Sequence, residues 1–231
     1  MEKMMLECRE LTKWFGSKAA VADLTLNLDK GKVYGLLGEN GSGKTTWMKM
    51  VAGLTKPGRG EILYEGHPLG WQDKAKIAYM ATEPFFYDFM KVSDVGEYYE
   101  AFFDDFDRKK YTETVNVMGL EPDMKVRSLS SGMSAKLKLA ATLARKAELY
   151  LLDEPLNGID YKAREEIIGL ILEEACGENT FVISTHLLEE VESFIEYAIF
   201  IKDGHLADKV NLESERMKSG RSLTELYTDI L

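Results

Sequence analysis

Apolar residues recur along this chain with two periods. Alternation dominates the first part: residues 23–28 read DLTLNL, with Leu24, Leu26 and Leu28 set against polar neighbours, the two-residue period of a half-buried strand. Gly16-Ser17 marks a turn ahead of it, so residues 1–32 are expected to form two strands joined by that turn. Short, almost unbroken apolar runs follow at 33–37 (VYGLL), 76–80 (KIAYM), 148–152 (ELYLL), 180–184 (TFVIS) and 197–202, the pattern of strands buried on both faces. Residues 61–65 are expected to form another short strand, between the turn clusters 54–60 (LTKPGRG) and Gly66-His67-Pro68. Helical spacing appears at 46–52, within 95–107 (VGEYYEAFFDDFD), and at 111–118, 134–146, 161–174 and 189–196. Leu137, Ala140, Ala141 and Ala144 give the segment 134–146 a small-residue face. Strands alternating with helices from residue 33 onward predict an α/β fold built on a mainly parallel sheet. Ligands in such sheets bind beyond the carboxyl ends of the strands.

Residues 85–129 interrupt this alternation. They start with the aromatic run FFYDFM and continue as two helical patterns, the first with an acidic face and the second stopping at Gly119. The expected organisation is one domain over 1–231. Residues 1–84 and 130–204 form the core and an N-terminal β subdomain, 85–129 an inserted α-helical lobe, and 205–231 a charged C-terminal extension.

Composition narrows the class. With 39 acidic against 29 basic residues, the net charge is −10, which argues against a nucleic-acid-binding surface. Cys8 and Cys176, far apart, indicate no disulfide framework and are expected as reduced structural thiols in the cytosol. The first residues contain no apolar signal core, and no apolar run approaches a membrane span, so any role at a membrane is expected to come through a partner. His67, beside a proline, is read as a solvated turn residue without chemistry.

The chemistry is concentrated after the predicted strands. Gly38, Glu39, Asn40, Gly41, Ser42, Gly43, Lys44 and Thr45 satisfy the phosphate-loop pattern G-x-x-x-x-G-K-[ST], preceded by a strand and followed by a helix from Thr46. Glycines let successive main-chain N–H groups turn toward phosphate oxygens, and the new helix adds its positive end. Lys44 is expected to reach the terminal phosphates of ATP, and the Thr45 hydroxyl to ligate Mg²⁺. Asp153 and Glu154 close the strand at 148–152. Asp153 is positioned for Mg²⁺, and Glu154, projecting differently, for polarising a water aimed at the γ-phosphate. His186 follows the next strand, where a neutral imidazole can bond the γ-phosphate or that water. Trp14 and Phe15 stand before the first turn, either as core or with one ring available to stack on a purine.

These residues, together with Leu129-Ser130-Ser131-Gly132-Met133, resemble the ATP-binding subunit of an ATP-binding-cassette (ABC) transporter, in the family's order and over nearly the whole chain to about Gly204. LSSGM is similar to the family signature LSGGQ, and Leu156-Asn157-Gly158-Ile159-Asp160 to its D-loop. Phe15 falls where the family places an aromatic on adenine. The resemblance implies a P-loop NTPase with a RecA-like core, an N-terminal antiparallel β subdomain and an inserted helical lobe. It implies ATP hydrolysis by a head-to-tail dimer, formed with a second copy or a homologous subunit. Ser130, Ser131 and Gly132 would then face the γ-phosphate held by the partner. It also implies a separate transmembrane permease subunit, a cytoplasmic location on the inner face of the membrane, and, on closest overall resemblance, export. The rival reading is a soluble ABC ATPase acting in cofactor assembly or another non-transport process.

Three departures stand out. Ser131 replaces the first signature glycine, Met133 the terminal glutamine, and Thr82 the Q-loop glutamine that normally touches Mg²⁺ and senses the membrane partner. Thr82 joins Thr45 and Asp153 as a candidate metal residue, but it is shorter than glutamine. Basal hydrolysis is therefore expected to depend little on it, and the run 85–89 is expected to carry most of the contact with the permease.

Overall fold

The computed structural model describes residues 3–83, 85–175 and 178–231. Alternating leucines and the turn at Gly16-Ser17 produce a long antiparallel hairpin, β1 (Met4–Phe15) and β2 (Lys18–Asp29). The buried strand β3 (Val33–Leu37) leads into the glycine loop and α1 (Lys44–Val51). Next come β4 (Arg59–Tyr64), β5 (His67–Pro68), the single turn α2 (Trp71–Lys74) and β6 (Ile77–Met80). The lobe contributes α3 (Val92–Phe102) and α4 (Arg108–Val117), then a 3₁₀ turn at Val126–Ser128. The chain returns through α5 (Ser131–Leu143), β7 (Leu149–Asp153), α6 (Tyr161–Glu174), β8 (Thr180–Thr185), α7 (Leu188–Val191) and β9 (Tyr197–Lys202). It ends with β10 (His205–Asn211), α8 (Leu212–Ser219) and α9 (Leu223–Ile230).

The strands form two sheets. An antiparallel sheet has the order β2-β1-β4-β5, and a six-stranded sheet the order β10-β9-β3-β8-β7-β6. All neighbours in the second are parallel except β10 on β9. One apolar cluster fills the space between the two sheets around α1, whose Trp47 is wholly buried. A second covers the opposite face of the parallel sheet and runs without a break from α5 and α6 into the lobe through Val92, Val95, Tyr111 and Val115. Arg145 also ties the lobe down, with both Asp105 carboxylate oxygens bonded to its Nε and the Phe103 ring 3.9 Å from its guanidinium.

Four details differ from the sequence expectations. The helix expected at 134–146 begins at Ser131, because the Ser130 hydroxyl accepts the Met133 N–H as an N-cap. The helix expected at 189–196 is the single turn α7, since the Glu196 N–H is taken by the Val33 carbonyl where the chain enters the sheet. His67-Pro68, read as a turn, pairs with Tyr64 and Leu63 as a short edge strand. The segment 205–231, drawn as an extension, starts with β10, which completes the six-stranded sheet. Of the two cysteines, Cys8 is buried, and burial pushes its thiol up to about 12. Cys176 lies outside the described residues, as does Pro84, the last residue of the core segment drawn at 1–84.

Candidate active site

The parallel strands β3, β7 and β8 deliver their carboxyl ends to one edge, where a cleft of about 530 Å³ opens. Phe15, Asn40, Gly41, Gly43, Lys44, Thr45, Thr46, Thr82 and Glu154 line it, with Glu83, Asn157 of the D-loop-like segment, and Lys18 and Ala20, which the sequence did not single out. Gly43 permits the loop geometry: its φ is 113°, and a Cβ there would lie 2.3 Å from the Ala20 carbonyl oxygen. As N-cap it has no side chain, so the first N–H groups of α1 face the cleft uncovered. Lys44 is 6% exposed, and its Nζ donates to the carbonyls of Gly38 (2.7 Å) and Glu39 (3.0 Å). Burial holds its ammonium below the ordinary lysine range, against the pull of Glu154 and Asp153. Gly38 and Ser42 are buried within the loop, whereas Glu39 and Asn40 are exposed.

At the acidic strand end, Asp153 is wholly buried and bonded on every side. Its Oδ1 accepts from Thr45 Oγ1 (3.1 Å) and Ser184 Oγ (2.7 Å), and its Oδ2 from the Tyr79 hydroxyl (3.2 Å). Its main-chain oxygen accepts from Thr82 Oγ1 (3.0 Å). Glu154 has a left-handed backbone, φ 51°, fixed by its N–H donating to Ser184 Oγ at 2.9 Å. This turn swings its carboxylate away from Asp153 toward the cleft, where Oε2 meets His186 Nδ1 at 3.0 Å. Burial raises the Glu154 carboxyl above the usual carboxylate range, with His186 and Lys44 opposing. His186 bonds Glu154 but is not among the residues lining the cleft.

The two aromatics of β1 part company. Phe15 lines the cleft and is 59% exposed, while Trp14 lies against Gly58 of the neighbouring turn. Ser130, Ser131 and Gly132 do not line this cleft: the two serines are exposed at the start of α5, and Gly132 is buried against Ala163 of α6. Ser184 and Tyr79 were missed because each sits in an apolar strand run. Lys138 was missed as one polar residue of a helix, yet its Nζ donates to the carbonyls of Ala81 (3.0 Å) and Thr82 (2.8 Å).

A phosphate loop after β3, an acidic pair after β7 and a histidine after β8, on one edge of a parallel sheet, define a nucleotide-hydrolysing domain. The sequence profile of the ABC transporter family matches residues 21–157. The ABC transporter ATP-binding protein YtrB of Bacillus subtilis is 31% identical over 90% of this chain and 73% of its own length. The lantibiotic transport ATP-binding protein SrtF of Streptococcus pyogenes is 32% identical over 97% of this chain and 96% of its own. The bacitracin transport ATP-binding protein BcrA of Bacillus licheniformis is 30% identical over 97% and 76%. The chain belongs to the ABC transporter family and is an ATPase cassette of it. Its fold is that of a solved ATP-binding subunit of an ABC transporter, with TM-score 0.86, 24% identity, and coverage of 98% of this chain and 99% of the other. A dimeric ATP-binding cassette in a post-hydrolysis state, bound to ADP and Pi, shares the fold at TM-score 0.79 and 24% identity, over 90% of this chain and 99% of that one.

Proposed function

We propose that the chain hydrolyses ATP as a head-to-tail dimer and powers export through a separate transmembrane permease, at the inner face of the membrane. The observation that carries this reading is the position of the signature. Ser130 and Ser131 are exposed, outside their own cleft, at the start of a helix whose first N–H groups are suited to an anion brought by another molecule. A cleft open on one side and a signature without a ligand on the same chain complement each other in a pair of copies. Among the described residues no helix is long and apolar enough to cross a membrane, so a separate permease suits the chain. The names of SrtF and BcrA, for lantibiotic and bacitracin transport, support coupling of the cassette to transport.

Within the cleft, the phosphate loop and Lys44 hold the phosphates, and Phe15 offers its ring to the adenine. Thr45 and Asp153 present hard oxygen donors 3.1 Å apart, a donor set that fits Mg²⁺. Bound there, Mg²⁺ would neutralise charge on the β- and γ-phosphates. Glu154, its carboxyl raised above the usual carboxylate range by burial and bonded to His186, accepts the proton of the attacking water. The lobe at 85–129 is a working division of a single domain, whose core sheet takes in β10 at the start of the segment 205–231. Replacing Glu154 with Gln keeps the size and removes the base. E154Q is expected to bind ATP, lose at least ~100-fold in turnover, and elute as a dimer in Mg·ATP. Turnover within about threefold of wild type, under 1 kcal/mol of barrier, would contradict the role.

A further inference from the structure

We infer that Lys138, on α5, is a positioning residue for hydrolysis: through the carbonyls of Ala81 and Thr82 and the hydroxyl of Thr82, it ties α5 to the acidic end of β7. The inference rests on the cleft being the site of ATP hydrolysis. The link is a short series of hydrogen bonds. Lys138 Nζ donates to the Ala81 oxygen at 3.0 Å and the Thr82 oxygen at 2.8 Å, and Thr82 Oγ1 donates to the Asp153 main-chain oxygen at 3.0 Å. Tyr79, on the strand leading into the same segment, adds its hydroxyl to Asp153 Oδ2.

The choice of a lysine has a physical reason. Half-buried, its ammonium is disfavoured by desolvation, and two carbonyl dipoles compensate. Hydrogen bonds from an ionised donor are roughly twice as strong as neutral ones. The Phe85 ring, 5.9 Å from Nζ, covers another side. Because the acceptors are main-chain oxygens, Lys138 grips the backbone of 81–82 whatever side chains stand there. Thr82 is too short to span the cleft as a glutamine would, and in this chain the distance is divided between two residues.

The consequence follows from where α5 begins. Ser130 caps its first turn, and Lys138 lies eight residues on, about 12 Å along the axis. A displacement of α5 is thus passed through 81–82 to the carbonyl of Asp153, one peptide unit from Glu154. The phosphate loop, Lys44 and Phe15 are not members of this series. Loss of the link therefore affects the alignment of Glu154 for attack and leaves ATP affinity alone.

The test compares K138M, which keeps length and removes the charge, K138R, T82V, which removes one hydroxyl, and the K138M/T82V double variant, all in the full chain. Steady-state kcat and KM for ATP, equilibrium binding of a fluorescent ATP analogue, and Tm are measured for each. K138M and T82V are each expected to lower kcat about five- to tenfold with KM and binding within about twofold. The double variant is expected to be no worse than the poorer single one, and K138R to recover at least about half of kcat, since both singles break the same series. Unchanged kcat in K138M and T82V, multiplying effects in the double variant, or a fall in ATP affinity that matches the fall in kcat would each overturn the inference. Should K138M melt early, T82V decides alone, because Thr82 is exposed and its loss does not open the core. A wild-type chain that binds ATP without turning it over would overturn the ATPase reading itself, and is seen before any variant is compared.

Discussion

Glu154 carries two separate penalties. A left-handed backbone costs a non-glycine residue roughly 1–2 kcal/mol, and φ here is 51°. Burial also opposes its ionisation. A carboxyl whose folded pKa lies above its unfolded value, about 4.3 for glutamate, favours the folded state while it is protonated. That contribution is complete below the unfolded value and is lost as pH rises through the folded one. Above that window the ionised carboxylate is a net cost, which a neutral Gln does not share. E154Q is expected to melt a few degrees above wild type at pH 8, since a chain of this size gains about 2–4 °C for each kcal/mol. The difference should shrink toward pH 4. Melting curves at pH 4.5, 6 and 8 check this, and a constant or inverted difference would remove the electrostatic explanation. The residue proposed to activate water thus works against the stability of its own fold. Sequence placed Glu154 correctly after a strand, but the positive φ that separates it from Asp153 belongs to the turn and is invisible in the letters D-E-P.

Between elements, β7 and β8 meet with Asp153 opposite Ser184. Ser184 Oγ donates to the carboxylate of one strand end while accepting the N–H of Glu154. S184A would deprive a fully buried carboxylate of a donor, a loss of about 1–3 kcal/mol. The expected result is a lower denaturation midpoint, with kcat reduced more than ATP affinity. Equal losses in both would make Ser184 a stability residue only. The strands themselves were legible because buried parallel strands read as short apolar runs bounded by turns. The bonds across them were not: Ser184 and Tyr79 lie 31 and 74 residues from Asp153, and each looks like one polar letter in an apolar run. Thr82 shows the same limit. Its length alone led to the expectation that hydrolysis would depend little on it, and the bond to Asp153, invisible in the letters, is what sets the inference about Lys138 against that expectation. Helix starts were the other weak point, since Ser130 belongs to the signature and also caps α5.

Across the whole molecule, the aromatic run 85–89 divides into two roles. Phe86 packs on the core beside Tyr99, so a charge there would disturb the fold and blur any reading of assembly. Tyr87 and Phe89 are 62% and 72% exposed and stacked, with centroids 5.4 Å apart. If they meet the permease, F89D should leave Tm and free ATPase activity near wild type and prevent assembly with the membrane subunit. Normal co-purification of a well-folded F89D would move the contact elsewhere. The fold class was legible because the two periods and the phosphate loop pointed the same way. The order of strands was not, because β3 has β8 and β9 as neighbours, both from the last quarter of the chain. That order matters during synthesis. The hairpin β1–β2 and its partner β4 can pair soon after they leave the ribosome. The strand that carries the phosphate loop has to wait, on the order of 10–30 s at ~5–20 residues per second, for the strands that flank it. Through that interval VYGLL is an apolar segment without a sheet, a natural target for chaperones, and the nascent chain has no framed loop with which to take up ATP.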